Sequence, residues 1–278
     1  MRDNIFPSFV LSILAFSIFF SLEGLSCINP VKSYVTITFD DAYENVYFNA
    51  YPLMASYGFR GVVFVIADKI GSNFEGSRTM SLDMLRQLQS YGWEIGSHSC
   101  SHVHLTDLTM EEMHHELIDS YVKLSMLGFE VYSISYPGGA YDEDTLISTS
   151  TCYTFGRTLD EGINKVDFPS LKLRSVVFQD DNYMYVLDWI NRTIRSGGWL
   201  IIVCHGIVSD EEALPSSVKG WNHVSAFKHI LDFLNTSEVN VLTFKDILKL
   251  RNADTLHNRF LVGVFDVFIW GITPKLFI

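Results

Sequence analysis

Eight short runs rich in β-branched and aromatic residues punctuate the chain: Tyr34–Phe39, Gly61–Ile66, Trp93–Ile95, Val131–Tyr136, Cys152–Phe155, Lys172–Phe178, Leu200–Cys204 and Val239–Leu242. Runs of this length and composition are strand-like. Between them, polar and apolar positions recur at helical spacing over Ala42–Tyr57, Leu82–Tyr91, Thr109–Leu127, Asp142–Ser148, Tyr183–Ser196, His223–Leu234 and Phe244–Arg251. Ser81 is placed to cap the second of these and Asp83 lies in its first turn. Thr109, Glu111 and Glu112 open the third and Gly128 stops it. Alternating strands and helices predict an α/β chain whose mostly parallel sheet is covered by helices. Seven or eight such units in roughly 220 residues predict an incomplete (β/α) barrel rather than an open sheet. The chain shows no internal repeat and no low-complexity linker.

The two ends depart from this pattern. Phe6 to Leu22 is almost wholly apolar and is followed by Glu23, Gly24, Ser26 and Cys27. Residues 1–27 therefore read as a signal peptide or signal anchor, at the short limit for a membrane span. The barrel domain is expected over 33–250. Residues 251–278 form an apolar C-terminal extension, too short to span a bilayer but able to pack on the barrel or lie at a membrane interface. An exported or membrane-tethered protein at the cell surface follows, with these two segments as its points of membrane association. The formal charge of −12 argues against a nucleic-acid partner. Four cysteines are too few for a disulfide framework. Cys204 adjoins His205, but neighbours on a strand face opposite ways, which disfavours a thiol nucleophile.

In a parallel barrel the C-terminal ends of the strands share one rim. Asp40-Asp41 follow the first run, His98 and His102 the third, Tyr136-Pro137-Gly138-Gly139 the fourth, Asp180-Asp181 the sixth, and His205-Gly206 the Leu200–Cys204 run. Five polar clusters scattered in sequence are thus predicted to converge. One carboxylate and two imidazoles suit one divalent ion, zinc first, with cobalt, nickel and manganese also compatible. Asp41, His98 and His102 are the expected ligands, provided the segment after the third strand turns helically to present both rings. Asp40 is the expected general base and His205 the acid that protonates a leaving amine. The acid must be an imidazolium, which a neighbouring carboxylate would favour. A backbone N–H near Tyr136 or Pro137 is the expected oxyanion donor. His104, His114 and His115 read as surface or loop groups. The constellation predicts metal-dependent hydrolysis.

These motifs resemble those of the polysaccharide deacetylase family (carbohydrate esterase family four, the NodB homology domain) over about residues 33–250. Thr38-Phe39-Asp40-Asp41 is similar to its first motif, base followed by metal ligand. His98-Ser99-Cys100-Ser101-His102 resembles the second, which completes the metal site. Leu200 to His205 resembles the last, which carries the acid. The resemblance implies a distorted, incomplete (β/α) barrel of seven or eight units. It also implies removal of acetyl groups from an N-acetylated, or O-acetylated, polysaccharide or cell-surface glycan.

Two departures stand out. Ser135-Tyr136-Pro137-Gly138-Gly139 lacks the family's arginine, which usually braces the base, and its groove aromatic. Arg174 is expected to supply the guanidinium and Tyr141 the aromatic, with Tyr136, Pro137 and Gly138 lining the substrate site. Asp180 rather than Asp188 is expected to tune His205, since Asp188 lies inside a helix-like stretch. Two other readings compete: amidohydrolysis of small non-sugar amides in a closed pocket, and a glycan-binding relative with weakened catalysis.

Overall fold

The computed structural model describes residues 32–166, 170–215 and 219–251. The expected signal segment and almost all of the C-terminal extension lie outside the described residues. No helix among the described residues is long and apolar enough to cross a membrane.

Among the described residues, twelve strands occur in order: β1 (Ser33–Phe39), β2 (Val62–Val65), β3 (Asn73–Phe74), β4 (Ser77–Arg78), β5 (Glu94–Ser97), β6 (Ser133–Ser135), β7 (Phe155–Arg157), β8 (Val176–Val177), β9 (Gly198–Cys204), β10 (Ile207–Val208), β11 (Asn222–His223) and β12 (Asn240–Val241). Eight of them form one sheet in the order β7-β6-β5-β2-β1-β9-β8, with β12 also on β1. Every pairing in it is parallel. A single bridge, Arg157 to Leu173, links the two ends. The sheet is therefore curled into an incompletely closed barrel, as the alternation of elements predicts. Each of the eight sheet strands overlaps or abuts an expected run. β3 and β4 form an additional antiparallel hairpin, which the hydrophobic pattern does not reveal because each strand is two residues long.

Both faces of the sheet are buried, and strand alternation sorts them. Val35, Ile37, Phe39, Val63, Val65, Ile95, Ile134, Leu200, Ile202 and Cys204 join the layer beneath the helices. Tyr34, Val62, Phe64, Phe155, Trp199 and Ile201 point into the barrel, where Phe244 from the last helical segment packs against them. The expected helix caps form. Ser81 accepts the Met84 N–H, and Thr109 with Glu112 makes a reciprocal capping box. The helical stretch after Thr109 carries a π-helical insert at His115–Asp119, a feature frequent at functional sites.

Candidate active site

Alternation along β1 continues Tyr34, Thr36 and Thr38 inward to Asp40. The same parity carries Glu94 and Gly96 on to His98, Ser133 to Ser135, Phe155 to Arg157, and Trp199, Ile201 and Val203 to His205. Asp41 would face the helices if the strand simply continued. Instead φ is 64° at Asp41 and 55° at Ala42. This left-handed turn, costly for residues with a Cβ, swings both carboxylates to one side.

The histidine loop is built by a similar device, not by a helix. Residues after His98 form bends, with φ of 63° at Ser99 and 69° at His102. Glu116, on the π-helical insert, accepts the backbone N–H groups of Cys100 and Ser101, both at 2.9 Å, and the Ser101 hydroxyl at 2.5 Å. The loop is thereby fixed with both imidazoles facing Asp41. Asp41 Oδ1 lies 3.5 Å from His98 Nε2 and 3.6 Å from His102 Nε2.

These three residues fit a divalent ion on several grounds. Their ligand atoms fall within 4.8 Å of one another. Asp41 Oδ1 is buried without a hydrogen bond. His98 Nδ1 meets the Ser135 carbonyl at 2.8 Å, which places the proton there and leaves Nε2 as a lone pair. Burial pushes His98 down to about 3 and lowers His102, so both rings stay neutral, as ligands must be. Burial, with the charge of Asp40, pushes the Asp41 carboxyl well up. A bound cation would relieve that desolvated charge.

The arginine absent from the Tyr136 segment comes from β7. Arg157 is 1% exposed, and its Nη2 donates to both Asp40 Oδ2 and Ser135 Oγ. Its guanidinium lies over the Phe64 ring at 5.6 Å. Arg174 does not fill this place: its Nη1 donates to the Glu161 carbonyl at 3.2 Å, in an exposed position. Burial alone would raise Asp40, but Arg157, His98 and His205 outweigh it and hold the carboxyl at about 2. Oδ1 of Asp40 remains buried and without a hydrogen bond.

His205 Nε2 lies 3.9 Å from Asp41 Oδ2, on the same pocket. No carboxylate reaches its Nδ1, which is buried and unpartnered against Gly220. Burial lowers its imidazole; Asp40 opposes this and Arg157 adds to it. Asp180 pairs instead with His223, accepting its backbone N–H at 2.8 Å and meeting Nδ1 of its ring. The other ring nitrogen of His223 faces the Glu212 carbonyl at 2.8 Å. That carbonyl and Asp180 raise the His223 imidazole, so this pair is an ion pair fastening β11 to the end of β8.

The pocket above the two aspartates holds about 200 Å³ and is also lined by Tyr136, Gly138, Gly139, Leu159, Glu75 and Lys219. Pro137 is buried, and Gly138 adopts a φ of 62°, with His104 so close that an added Cβ would meet its Nε2 at 2.5 Å. The Tyr136 N–H is spent on the Arg157 carbonyl at 3.1 Å, so it is not a free oxyanion donor, and Pro137 has none. The Tyr141 ring stacks on Tyr136, and its hydroxyl donates to Asp160 at 2.6 Å, outside the pocket lining. Leu159 supplies an apolar wall to the pocket. Two further cavities, of about 340 and 360 Å³, continue the rim: the first shares Lys219 with this pocket, and it shares Pro215 and Trp221 with the second.

A family model described as polysaccharide deacetylase matches residues 28–154. That span includes Asp40, Asp41, His98 and His102 and ends before Arg157 and His205. YxkH of Bacillus subtilis (strain 168), which bears a polysaccharide deacetylase name, is 34% identical over 136 residues, 48% of this chain and 47% of its own length. The chain thus spans about half the length of that relative. Among solved structures, the Streptococcus pyogenes deacetylase PplD in complex with acetate matches with a TM-score of 0.52 at 24% identity, over 61% of this chain and 76% of that one. Peptidoglycan deacetylase PdaC from Bacillus subtilis (mutant D285S) matches at 0.52 and 15%, over 84% and 99%. At these identities the likeness is one of fold.

Proposed function

The chain belongs to the polysaccharide deacetylase family, and on that premise we propose that it is an exported, metal-dependent hydrolase releasing acetyl groups from an N-acetylated glycan. The observation that carries this reading is the asymmetry of the two aspartates. One joins two neutral histidines as a ligand set, while the other is held ionised by a buried arginine. Asp41, His98 and His102 would hold the ion, with zinc the first choice for this donor set. Bound there, it supplies Lewis acidity toward the acetyl carbonyl and lowers the pKa of water.

The remaining steps belong to side chains. Asp40 Oδ2 is tied to Arg157 and Ser135, so the unpartnered Oδ1 receives the proton of the attacking water. His205 Nε2 is placed to deliver a proton to the departing nitrogen; burial disfavours its imidazolium, and the charge of Asp40 is what favours the protonated ring. Arg157 and Ser135 are positioning residues for Asp40. The guanidinium on Asp40 removes the ground for reading the chain as a catalytically weakened glycan binder. The chain of cavities along the rim favours an extended glycan over a small isolated amide.

Acetate release from N-acetylglucosamine oligomers tests the proposal. Turnover should vanish on chelation and return with zinc or another first-row divalent ion. Chelator-insensitive turnover would overturn the metal mechanism. Turnover only on small amides would replace the glycan substrate.

A further inference from the structure

Glu75 occupies the turn of the β3–β4 hairpin and lines the reaction pocket with Asp41, His98 and His102. It is a non-glycine residue at a φ of 46°, a conformation that persists only where the surroundings enforce it. Here they do. The Phe74 ring sits edge-on to His102 at 5.0 Å and stacks near Tyr43 at 6.4 Å. Thr79 bridges to Tyr43, and the Met80 N–H donates to the Ala42 carbonyl at 2.7 Å. Arg78 pairs with Glu44 at 3.2 Å. The hairpin is thus fastened to the segment that carries the catalytic aspartates.

The Glu75 carboxylate itself has no hydrogen bond or ion pair among the described residues. Nor does it belong to the three-residue ligand cluster. Its charge nevertheless reaches the site. It adds to the burial and the Asp40 charge that raise Asp41, and it opposes the burial that lowers His102. Lys219 lines the same pocket from another chain segment, without an ion pair to Glu75 among the described residues.

We propose that Glu75 is a specificity-determining residue: a fixed carboxylate that accepts glycan units bearing hydroxyl or ammonium groups beside the scissile acetamide and rejects units bearing carboxylates. The inference rests on the deacetylase reading above. Its physical basis is that an unpaired carboxylate at a pocket wall hydrogen-bonds hydroxyls, attracts ammonium and repels a like charge. The reaction converts a neutral acetamide to an amine, so a partly processed chain would be favoured over a uronate-containing one.

The test measures kcat and KM on three oligomers of equal length: N-acetylglucosamine, the same partly deacetylated, and N-acetylglucosamine alternating with glucuronate. The native chain should prefer the first two over the third by about tenfold or more, and less so at high salt. Glu75→Gln should shrink that ratio severalfold, chiefly through KM, and Glu75→Lys should invert it. Glu111→Gln, on an exposed helix start remote in sequence from the hairpin, should leave the ratio unchanged. An equal loss on all three substrates in Glu75→Gln would overturn the proposal. Affinities of the same oligomers for the Asp40→Asn protein separate the two readings. If no acetate is ever released but Glu75→Gln still moves the affinity ratio, the deacetylase reading falls and the role of Glu75 stands. An unmoved affinity ratio overturns the role of Glu75.

Discussion

Two carboxyls stand on the inner face of the same barrel, Asp40 at the rim and Glu94 at the opposite end, and both are buried. Asp40 is held at about 2 while Glu94 is pushed up to about 7. Burial acts in the same direction on both. The difference is the partner: Asp40 faces the Arg157 guanidinium, whereas Glu94 accepts from the Ser133 hydroxyl at 2.7 Å and the Lys245 backbone N–H at 2.8 Å, with the Thr243 side chain a further uncharged donor. Neutral donors do not offset the desolvation of a charge; a guanidinium does. The barrel can therefore keep an ionised base at one end and a proton-bearing carboxyl at the other. Their linkage to stability has opposite signs. The depressed Asp40 contributes stability above the ordinary carboxylate pKa, lost as pH falls towards 2. The raised Glu94 favours the fold most below about 4.5, and its contribution is lost as pH rises towards 7.

The largest effect should come from making Asp40 resemble Glu94. Arg157→Met leaves the Asp40 carboxylate buried without its cation. Activity at neutral pH should fall on the order of 100-fold, and the acid limb of kcat/KM should move up towards neutrality. Breaking the buried pair should also cost about 3–5 kcal/mol in denaturant unfolding. An unmoved acid limb would remove Arg157 from its role.

The next effect concerns Glu94. Its own contribution to stability should decline between pH 4.5 and 7 by an amount on the order of 3 kcal/mol, while the lowered His98, His102 and His205 contribute with the opposite sign, so the difference between native and Glu94→Gln unfolding curves across the range isolates it. A slope of equal size in the variant would place its origin elsewhere. The smallest effect is expected at Arg174, whose guanidinium reaches only the Glu161 carbonyl. Arg174→Ala should leave turnover unchanged and stability within about 0.5 kcal/mol; a substantial fall in rate would restore it as the brace.

The contrast also shows what the sequence could disclose. Strand alternation places Asp40, His98 and His205 inward, and their positions after apolar runs make them legible one by one. Arg157 obeys the same parity from Phe155, but the apolar run stops at Phe155, so Gly156-Arg157 read as loop. The role expected of Asp180 depended on proximity to a strand end. Its partner is His223, 43 residues further on, and no local pattern announces a pairing between a single turn and a two-residue strand. Glu75 was hidden for a related reason: a two-residue strand has no periodicity to detect. Local chemistry was readable where regular structure aims it, and unreadable where tertiary contact alone does.

β1 pairs along all seven of its residues with β9 and at its start with β12. It is among the first described segments to be synthesised, yet those partners lie about 160 and 200 residues later in the chain. At usual ribosomal speeds this apolar strand waits on the order of 10 s or longer before both its edges can be covered. The carboxylates that end it thus become a site only when nearly the whole barrel has been made. Until then, β1 is a segment that must be shielded from other chains.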